Sequence, residues 1–186
     1  MPTSLHIATL GEPVLKKQAR PLDIPSDLSF AKNLSEQMFL LLDSLNERIG
    51  LAAPQVFESI RLFVYRIPQS THPRYQTIST VVPPTVMINP AWAPISPEKE
   101  DGWEGCVSVP GMLGIVPRYT SIFCRYTNLV GESIELEADG FHARVLQHEM
   151  DHLDGITFIE LMTDLSSLGF EDVILKQQRV DMDAVA

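Results

Sequence analysis

The stretch VLQHEMDHLDG, which begins at Val145, constrains the fold of this chain most, because it carries two histidines four positions apart and a glutamate directly after the first. On an α-helix that spacing places His148 and His152 on one face, where they can bind one metal ion with Glu149 beside it. The apolar neighbours Val145 and Leu153 predict that the helix is partly buried. A surface helix with solvated histidines is the alternative, but a buried histidine pair without a partner is costly, so the pattern favours a metal site.

The chain has 186 residues, of which 45% are hydrophobic and 20% charged, and this composition suits one soluble globular domain over residues 1–186. Its net charge of −10 argues against nonspecific nucleic-acid binding as the main role. No stretch reaches the ~20 apolar residues that span a bilayer, and the N-terminus lacks the features of a secretory signal. With two cysteines, Cys106 and Cys124, a reducing cytoplasm is the expected location.

The hydrophobic pattern predicts an α+β fold. Apolar residues at helical spacing predict an amphipathic helix that starts at Ser26 or Asp27 and stops at Gly50. A Pro-, Ser- and Thr-rich stretch, residues 68–85, predicts an exposed loop. Segments rich in β-branched and aromatic residues predict antiparallel strands at 61–67, 85–92, 120–128 and 133–139. We therefore expect antiparallel strands packed around a central HExxH helix in a single compact domain.

Two histidines do not complete a metal site, and the residues alone leave two candidates for the third ligand. Glu171 lies about twenty residues downstream, where thermolysin-like peptidases have their third ligand. Cys106 lies upstream in a glycine-flanked turn between strand-like segments, where its thiolate can approach a metal. A His-His-Glu site is typical of endopeptidases, whereas a Cys-His-His site has a softer ligand and accepts iron(II) as well as zinc. Cys124, inside an apolar run, is expected to be a small buried hydrophobe.

Three separated motifs resemble those of the peptide deformylases and occur in the same order: GLAAPQ at 50–55, EGCVS at 104–108 and QHEMDHLDG at 147–155. The resemblance extends over residues 5–162 and leaves the tail from about residue 165 poorly matched. It implies a metal-dependent hydrolase that removes the N-formyl group from the N-terminal formyl-methionine of nascent proteins and releases formate. It also favours Cys106 over Glu171 as the third ligand.

The resemblance assigns a role to each matching residue. Glu149 would be the general base and acid, and the Gln55 side chain and the Val107 backbone N–H would bind the formyl oxygen. These residue types suit the chemistry, because a metal lowers the pKa of bound water toward ~7 and a donor placed for developing negative charge is worth ~2.7–4 kcal/mol. The expected cofactor is one divalent metal, iron(II) in the cell, with zinc, nickel or cobalt as alternatives. Three residues would hold the metal, with a water as the fourth ligand: Cys106, His148 and His152.

Further residues are expected to bind the substrate peptide. The family binds its substrate as an added strand, so the resemblance implies an exposed sheet edge at Gly50 and Leu51, with Gly105 allowing close backbone approach. The apolar positions that match the methionine pocket are Ile49, Phe141 and Val145. The expected partner is thus an N-formylmethionyl nascent peptide, processed by a monomer in a bacterial-type cytoplasm without nucleic acid or membrane.

The chain departs from the family pattern at two places. Arg48 stands where the first motif usually has a glycine, and an arginine would be strained there if the backbone needs a positive φ. Residues 170–186 do not resemble the basic C-terminal helix with which one group of the family contacts the ribosome, so a transient ribosome contact by that helix is not expected. Two other functions stay open, an HExxH metallopeptidase that uses Glu171 and a metal-holding pseudoenzyme that binds N-terminal peptides.

Overall fold

The computed structural model describes residues 5–45, 48–69 and 80–177, and all pairs of its strands are antiparallel, so the predicted α+β class is confirmed. The helices are α1 (Leu28–Ser44), α2 (Gly140–Leu153) and α3 (Phe158–Leu161), and residues 171–177 are also helical. The strands are β1 (Gly50–Ala52), β2 (Leu62–Ile67), β3 (Val82–Pro94), β4 (Lys99–Cys106), β5 (Val109–Tyr119), β6 (Ser121–Thr127), β7 (Ser133–Asp139) and β8 (Gly169–Phe170).

The strands form two sheets. The larger sheet has the order β1-β2-β3-β6-β7 and the smaller one the order β4-β5-β8. The short strand β1 lies at the edge of the larger sheet, where Gly50 pairs with Tyr65 of β2. Because β1 has a sheet neighbour on one side, the backbone groups of its other edge can pair with an added strand.

Strand β2 is buried on both faces and separates two hydrophobic cores. Successive side chains of a strand point to opposite faces. Phe63 joins the core that contains Leu146 of α2, whereas Val64 joins the core that contains Met38 of α1. The larger sheet therefore lies between α1 and α2, and α2 also contacts β5 of the smaller sheet. Burial of each such side chain contributes roughly 1.5–3 kcal/mol and fixes α2 against the strands.

Helix α1 begins as predicted, with Asp27 as its N-cap residue. The predicted end at Gly50 is wrong, because α1 ends at Ser44. The cause is pairing with β2. The Arg66 N–H donates to the Ile49 carbonyl at 2.8 Å, and Gly50 itself belongs to β1, so the chain leaves the helix in time to join the sheet.

Helix α2 contains the HExxH sequence and is bounded by glycines in the left-handed region, Gly140 (φ 49°) and Gly155 (φ 75°). A Cβ at position 155 would lie 2.8 Å from the Lys16 carbonyl carbon, so the close approach of the N-terminal chain also requires glycine. The Ala19 N–H donates to the Leu153 carbonyl at 2.8 Å. These contacts tie the C-terminal end of α2 to the N-terminal segment.

The predicted strands correspond to β2, β3, β6 and β7. Strand β3 starts at Val82, inside the predicted loop 68–85, whose residues 70–79 lie outside the described residues. Strands β4 and β5 were not predicted. The sequence of β4, KEDGWEGC, is rich in charge and glycine, and that of β5, VPGMLGIVPRY, is interrupted by two glycines and two prolines. Within the described residues, no helix is long and apolar enough to cross a membrane.

Candidate metal centre

Three side chains with metal-ligand atoms meet between β4 and α2. Cys106 is the last residue of β4, just after a register shift against β5. Such irregularities redirect the side chains of a strand. His148 and His152 lie one turn apart on α2. The three ligand atoms lie within 4.8 Å of one another, and Cys106 Sγ is 3.2 Å from His152 Nε2. The fold thus brings Cys106 to the predicted histidine pair.

The chemistry of these three donors fits a divalent transition metal. Burial opposes ionisation of the Cys106 thiol, but the two imidazoles outweigh it and hold the pKa of Cys106 well below its ordinary value. The thiolate is the form that binds a metal. His148 Nδ1 lies 2.8 Å from Glu104 Oε2, which assigns the ring proton to Nδ1 and leaves the Nε2 lone pair for the metal. One thiolate and two imidazoles form a donor set that suits zinc or iron(II).

Glu149 lies deep beside the three donors, only 5% exposed, with its carboxylate against the Cα of Gly50. Burial raises the pKa of Glu149 to about 7, although both histidines act in the opposite direction. Among the described residues, its Oε2 atom has no hydrogen-bond partner. A carboxyl group of this kind can accept and donate a proton near neutral pH, as a general base and acid must. A divalent cation beside it would lower this pKa and favour the carboxylate.

Gln55 holds its side-chain amide in a fixed orientation next to the donors. Its Oε1 accepts a hydrogen bond from the Ala52 N–H at 2.8 Å. Its Nε2 therefore points the other way and donates to Cys106 Sγ and Ser108 Oγ, each at 3.1 Å. Val107, the residue after Cys106, is half-buried and lines the adjoining cleft.

A buried network of charged residues surrounds His148, and sequence analysis missed it. Glu104 accepts hydrogen bonds from Arg118 Nε at 2.8 Å and Nη2 at 2.9 Å, and from Arg144 Nη1 at 3.0 Å. Arg118 also donates to Asp151 at 2.5 Å. Burial disfavours the Glu104 carboxylate, but the hydrogen bonds from Arg118 and His148 outweigh it and lower its pKa well below the ordinary value. The network keeps Glu104 charged and orients the His148 ring.

A cleft of about 560 Å³, including the part open to solvent, leads to these residues. Its lining includes the predicted site residues except Leu51 and His152. Leu51 is 0% exposed and packs in the core against α1, so it does not line the cleft. The apolar residues of the lining include the predicted methionine pocket: Ile49, Phe141 and Val145. Residues of the lining that the sequence did not assign are Trp103, Glu104 and Arg144.

Glu171, the alternative third ligand, lies elsewhere. Among the described residues, the donor cluster does not include Glu171, whose Oε2 is 3.5 Å from Nη2 of Arg48. The backbone strain considered for Arg48, a positive φ at a non-glycine residue, is absent as well. Among the described non-glycine residues, positive φ angles occur at Phe57 and Asn89 and not at position 48.

The two histidines of the HExxH helix lie next to a cysteine from a neighbouring strand, and the buried glutamate faces a cleft. This arrangement defines a metal-dependent hydrolase. Comparison with known families agrees with this class and narrows it. The family model described as polypeptide deformylase matches residues 4–167. The chain belongs to the polypeptide deformylase family.

Individual relatives match over most of their length. Peptide deformylase 1 of Nitrosomonas europaea is 37% identical over 180 residues, which cover 95% of this chain and 98% of that protein. Peptide deformylase 2 of Ralstonia nicotianae is 42% identical over 77% of this chain and 79% of its own. Among solved structures, the class I type b peptide deformylase from Acinetobacter baumannii bound to Met-Ala-Ser has a TM-score of 0.79 at 36% identity and covers 87% of this chain and 100% of that chain.

Proposed function

We propose that this chain removes the N-formyl group from the N-terminal formyl-methionine of nascent proteins and releases formate. The observation that carries the proposal is the meeting of Cys106 with His148 and His152, beside Glu149, at a cleft. Membership of the polypeptide deformylase family supports the same reaction. The four residues combine a metal-ligand set with an acid whose pKa lies near neutrality.

Cys106, His148 and His152 would hold one divalent metal. When bound, the metal supplies Lewis acidity, which lowers the pKa of water from ~15.7 toward ~7 and polarises a carbonyl group. We propose iron(II) as the metal in the cell, and zinc, nickel and cobalt suit the same donors. The hydrogen bond between His148 and Glu104 supports this assignment, because it fixes the tautomer that a ligand requires.

Glu149 is proposed to move the proton of the reaction. Its carboxylate takes a proton from the attacking water while the water oxygen bonds to the formyl carbon. Glu149 then gives this proton to the methionine nitrogen as the C–N bond breaks, so formate and a free amine leave. General acid–base catalysis of this kind contributes typically ~10²–10⁴-fold to the rate.

Gln55 and Val107 are proposed to bind the formyl oxygen while its negative charge grows. The hydrogen bond from the Ala52 N–H holds the Gln55 amide in place before the substrate arrives. On binding, Nε2 would exchange the Ser108 hydroxyl for the formyl oxygen, and the Val107 N–H would be the second donor. Each such donor is worth about 2.7–4 kcal/mol of transition-state stabilisation.

The peptide is proposed to bind as an added strand along β1. Gly50 supplies the edge, the buried Leu51 anchors it in the core, and Gly105 in the same cleft allows close approach. The methionine side chain would lie against three apolar residues, where its flexible thioether packs well. These are Ile49, Phe141 and Val145. The complex of the Acinetobacter baumannii relative with Met-Ala-Ser supports a site for a short peptide.

We further propose that residues 1–186 form one catalytic domain with α2 as its central element. Contacts of α2 with strands of both sheets support this arrangement. The protein is proposed to act as a monomer in a bacterial-type cytoplasm. Any transient ribosome contact would not use a basic C-terminal helix, because residues 170–186 carry four acidic side chains and two basic ones, Lys176 and Arg179.

Formate release tests the proposed function. The protein, loaded anaerobically with iron(II) or with nickel, is incubated with formyl-Met-Ala-Ser, and formate is measured with time. We expect formate from the unaltered protein and a loss of at least ~10²-fold in the Glu149→Ala variant. Equal formate from both proteins, or none from either, would contradict the proposal, and the second result would favour a peptide-binding pseudoenzyme.

A further inference from the structure

Two arginines line the cleft, and their surroundings differ. Arg144 Nη1 donates to the Val116 carbonyl at 2.7 Å and to Glu104 Oε1 at 3.0 Å, and its Nη2 donates to the Glu100 carbonyl at 2.6 Å. These protein acceptors occupy the guanidinium of Arg144. It is therefore a structural cation and is not available to a ligand.

Arg48 has fewer hydrogen-bond and ion-pair partners among the described residues. Its Nη2 lies 3.5 Å from Glu171 Oε2, which is longer than the ~2.7–2.9 Å of a charge-assisted hydrogen bond. The side chain of Arg48 is 26% exposed and lines the cleft. A guanidinium has five N–H donors in a planar fork that matches a carboxylate. Arg48 thus presents donors at the mouth of the cleft that a carboxylate of a ligand can use.

The position of Arg48 along the sheet edge defines which part of a peptide it meets. From Gly50 toward Leu51 and Ala52 the chain enters the core, since both of these residues are 0% exposed. A peptide whose formyl end reaches Glu149 must therefore leave in the other direction, toward Arg48. When the methionine lies opposite Gly50, the second residue of an extended peptide lies opposite Ile49. The third residue then lies opposite Arg48, since each residue of a strand advances ~3.3 Å.

We infer that Arg48 is a specificity-determining residue, which binds the carboxylate of an acidic third residue in the substrate peptide. The inference rests on the proposed function, because that function places the formyl end of the peptide at Glu149. Glu171 holds the guanidinium in place until the carboxylate of the substrate replaces it. The net charge of −10 repels an acidic peptide, and the cation of Arg48 provides a local attraction for its carboxylate.

This role predicts a particular kinetic signature. Arg48 lies away from the reacting atoms, so it binds the ground state and the transition state equally. Uniform binding of this kind changes KM and leaves kcat unchanged. Because the ion pair is partly exposed, the preference should weaken as salt is raised.

The test compares three peptides that differ in charge at the third residue: formyl-Met-Ala-Asp-Ala, formyl-Met-Ala-Asn-Ala and formyl-Met-Ala-Lys-Ala. All carry a C-terminal amide, since a terminal carboxylate would present the same chemistry. In the nickel-loaded protein at low salt, kcat/KM for the Asp peptide relative to the Asn peptide should fall roughly threefold to tenfold on Arg48→Gln, through KM. The Arg20→Gln variant, which removes an exposed cation outside the cleft, should keep the wild-type ratio.

An Asp-to-Asn ratio that is the same in the wild type and in Arg48→Gln would overturn the inference, as would an equal loss in Arg20→Gln. A fall in kcat with KM unchanged would also contradict it. If no peptide releases formate, the proposed function fails, and binding of the same peptides without the formyl group then decides on Arg48. Calorimetry should show weaker binding of Met-Ala-Asp-Ala amide to Arg48→Gln than to the wild type, and equal binding would overturn the inference.

Discussion

Gly50 of β1 and Glu149 of α2 are in such close contact that no side chain fits between them. A Cβ built at position 50 would lie 2.7 Å from Glu149 Cδ and would also meet its Oε1 atom. The missing side chain at Gly50 therefore sets how far the Glu149 carboxylate reaches toward the sheet edge. The same residue forms the edge on which the peptide is proposed to bind, so one glycine positions both the proton carrier and the substrate.

Replacing Gly50 with alanine should displace the Glu149 carboxylate. We expect kcat/KM for a formylated peptide to fall roughly 10²-fold, because a misplaced general base loses much of its effect. Metal content should not change, since the three atoms nearest to a Cβ at position 50 all belong to Glu149 and none to a metal-ligand residue. Formate kinetics and metal analysis of the purified variant measure the two effects. Wild-type kcat/KM in Gly50→Ala would show that the contact has no catalytic consequence.

The buried carboxyl group of Glu149 should make the stability of the chelator-treated protein depend on pH. Its pKa is raised from 4.5 to about 7, so the folded state binds a proton more tightly than the unfolded state does. The resulting stabilisation is complete below pH 4.5 and is lost as the pH rises through about 7. Glu149→Gln should therefore be more stable than the wild type above neutral pH, by about 3 kcal/mol.

Urea unfolding of both proteins between pH 5 and pH 8.5 measures this difference, under chelation so that no cation acts on the carboxylate. Glu100→Gln, a change at an exposed position of β4, is the matched control and should follow the wild type. A constant difference between Glu149→Gln and the wild type across this range would refute the assigned pKa.

Glu104→Gln should weaken both stability and metal binding. The variant leaves the cations of Arg118 and Arg144 buried beside a neutral amide, and breaking a buried ion pair costs roughly 3–5 kcal/mol. The pKa of Glu104 is lowered, so its contribution is present at neutral pH and is lost as the pH falls through the folded-state value. Metal affinity should fall ~10–100-fold, because a neutral amide replaces the charged acceptor that orients His148. Urea unfolding and chelator competition measure these effects, and unchanged metal affinity would contradict the role of the His148 contact.

Gly155→Ala should destabilise the protein without touching the donors. The residue has φ 75°, and a Cβ there would lie 2.8 Å from the backbone of Lys16. Left-handed strain and the backbone clash together should cost roughly 1–3 kcal/mol. Thermal unfolding measures the loss. Gly111→Ala, at φ 73° with nothing near its Cβ, is the control for the strain alone and should lose less.

The sequence predicted the part of the site that lies on one helix. The spacing of His148, Glu149 and His152 is a local pattern, and α2 preserves it. The apolar face of α1 was predicted in the same way, and its residues Met38 and Leu42 are buried. Local periodicity is enough for such elements, because the helix itself determines which side chains share a face.

The residues that orient the ligands were not predicted, for a physical reason. Glu104 is separated by 14 residues from Arg118 and by 44 from His148. The strands that join them are hard to predict, because β4 is rich in charge and glycine and β5 is interrupted by two glycines and two prolines. Because its residues are far apart in the sequence, no local spacing pattern predicts this network. The early end of α1 has a similar cause, since the pairing of Ile49 with Arg66 is a tertiary contact that overrides helical periodicity.

The identity of the third ligand is the central claim, and one measurement tests it most directly. Metal content and formate release are determined together for Cys106→Ala and for Cys124→Ala, both purified anaerobically with iron(II) or nickel. Cys124 is the matched control, since it is fully buried, burial raises its pKa to about 12, and it lies outside the donor cluster. We predict that Cys106→Ala loses bound metal and formate release while Cys124→Ala keeps both. A Cys106→Ala protein that retains a full equivalent of metal and deformylates at the wild-type rate would contradict the account.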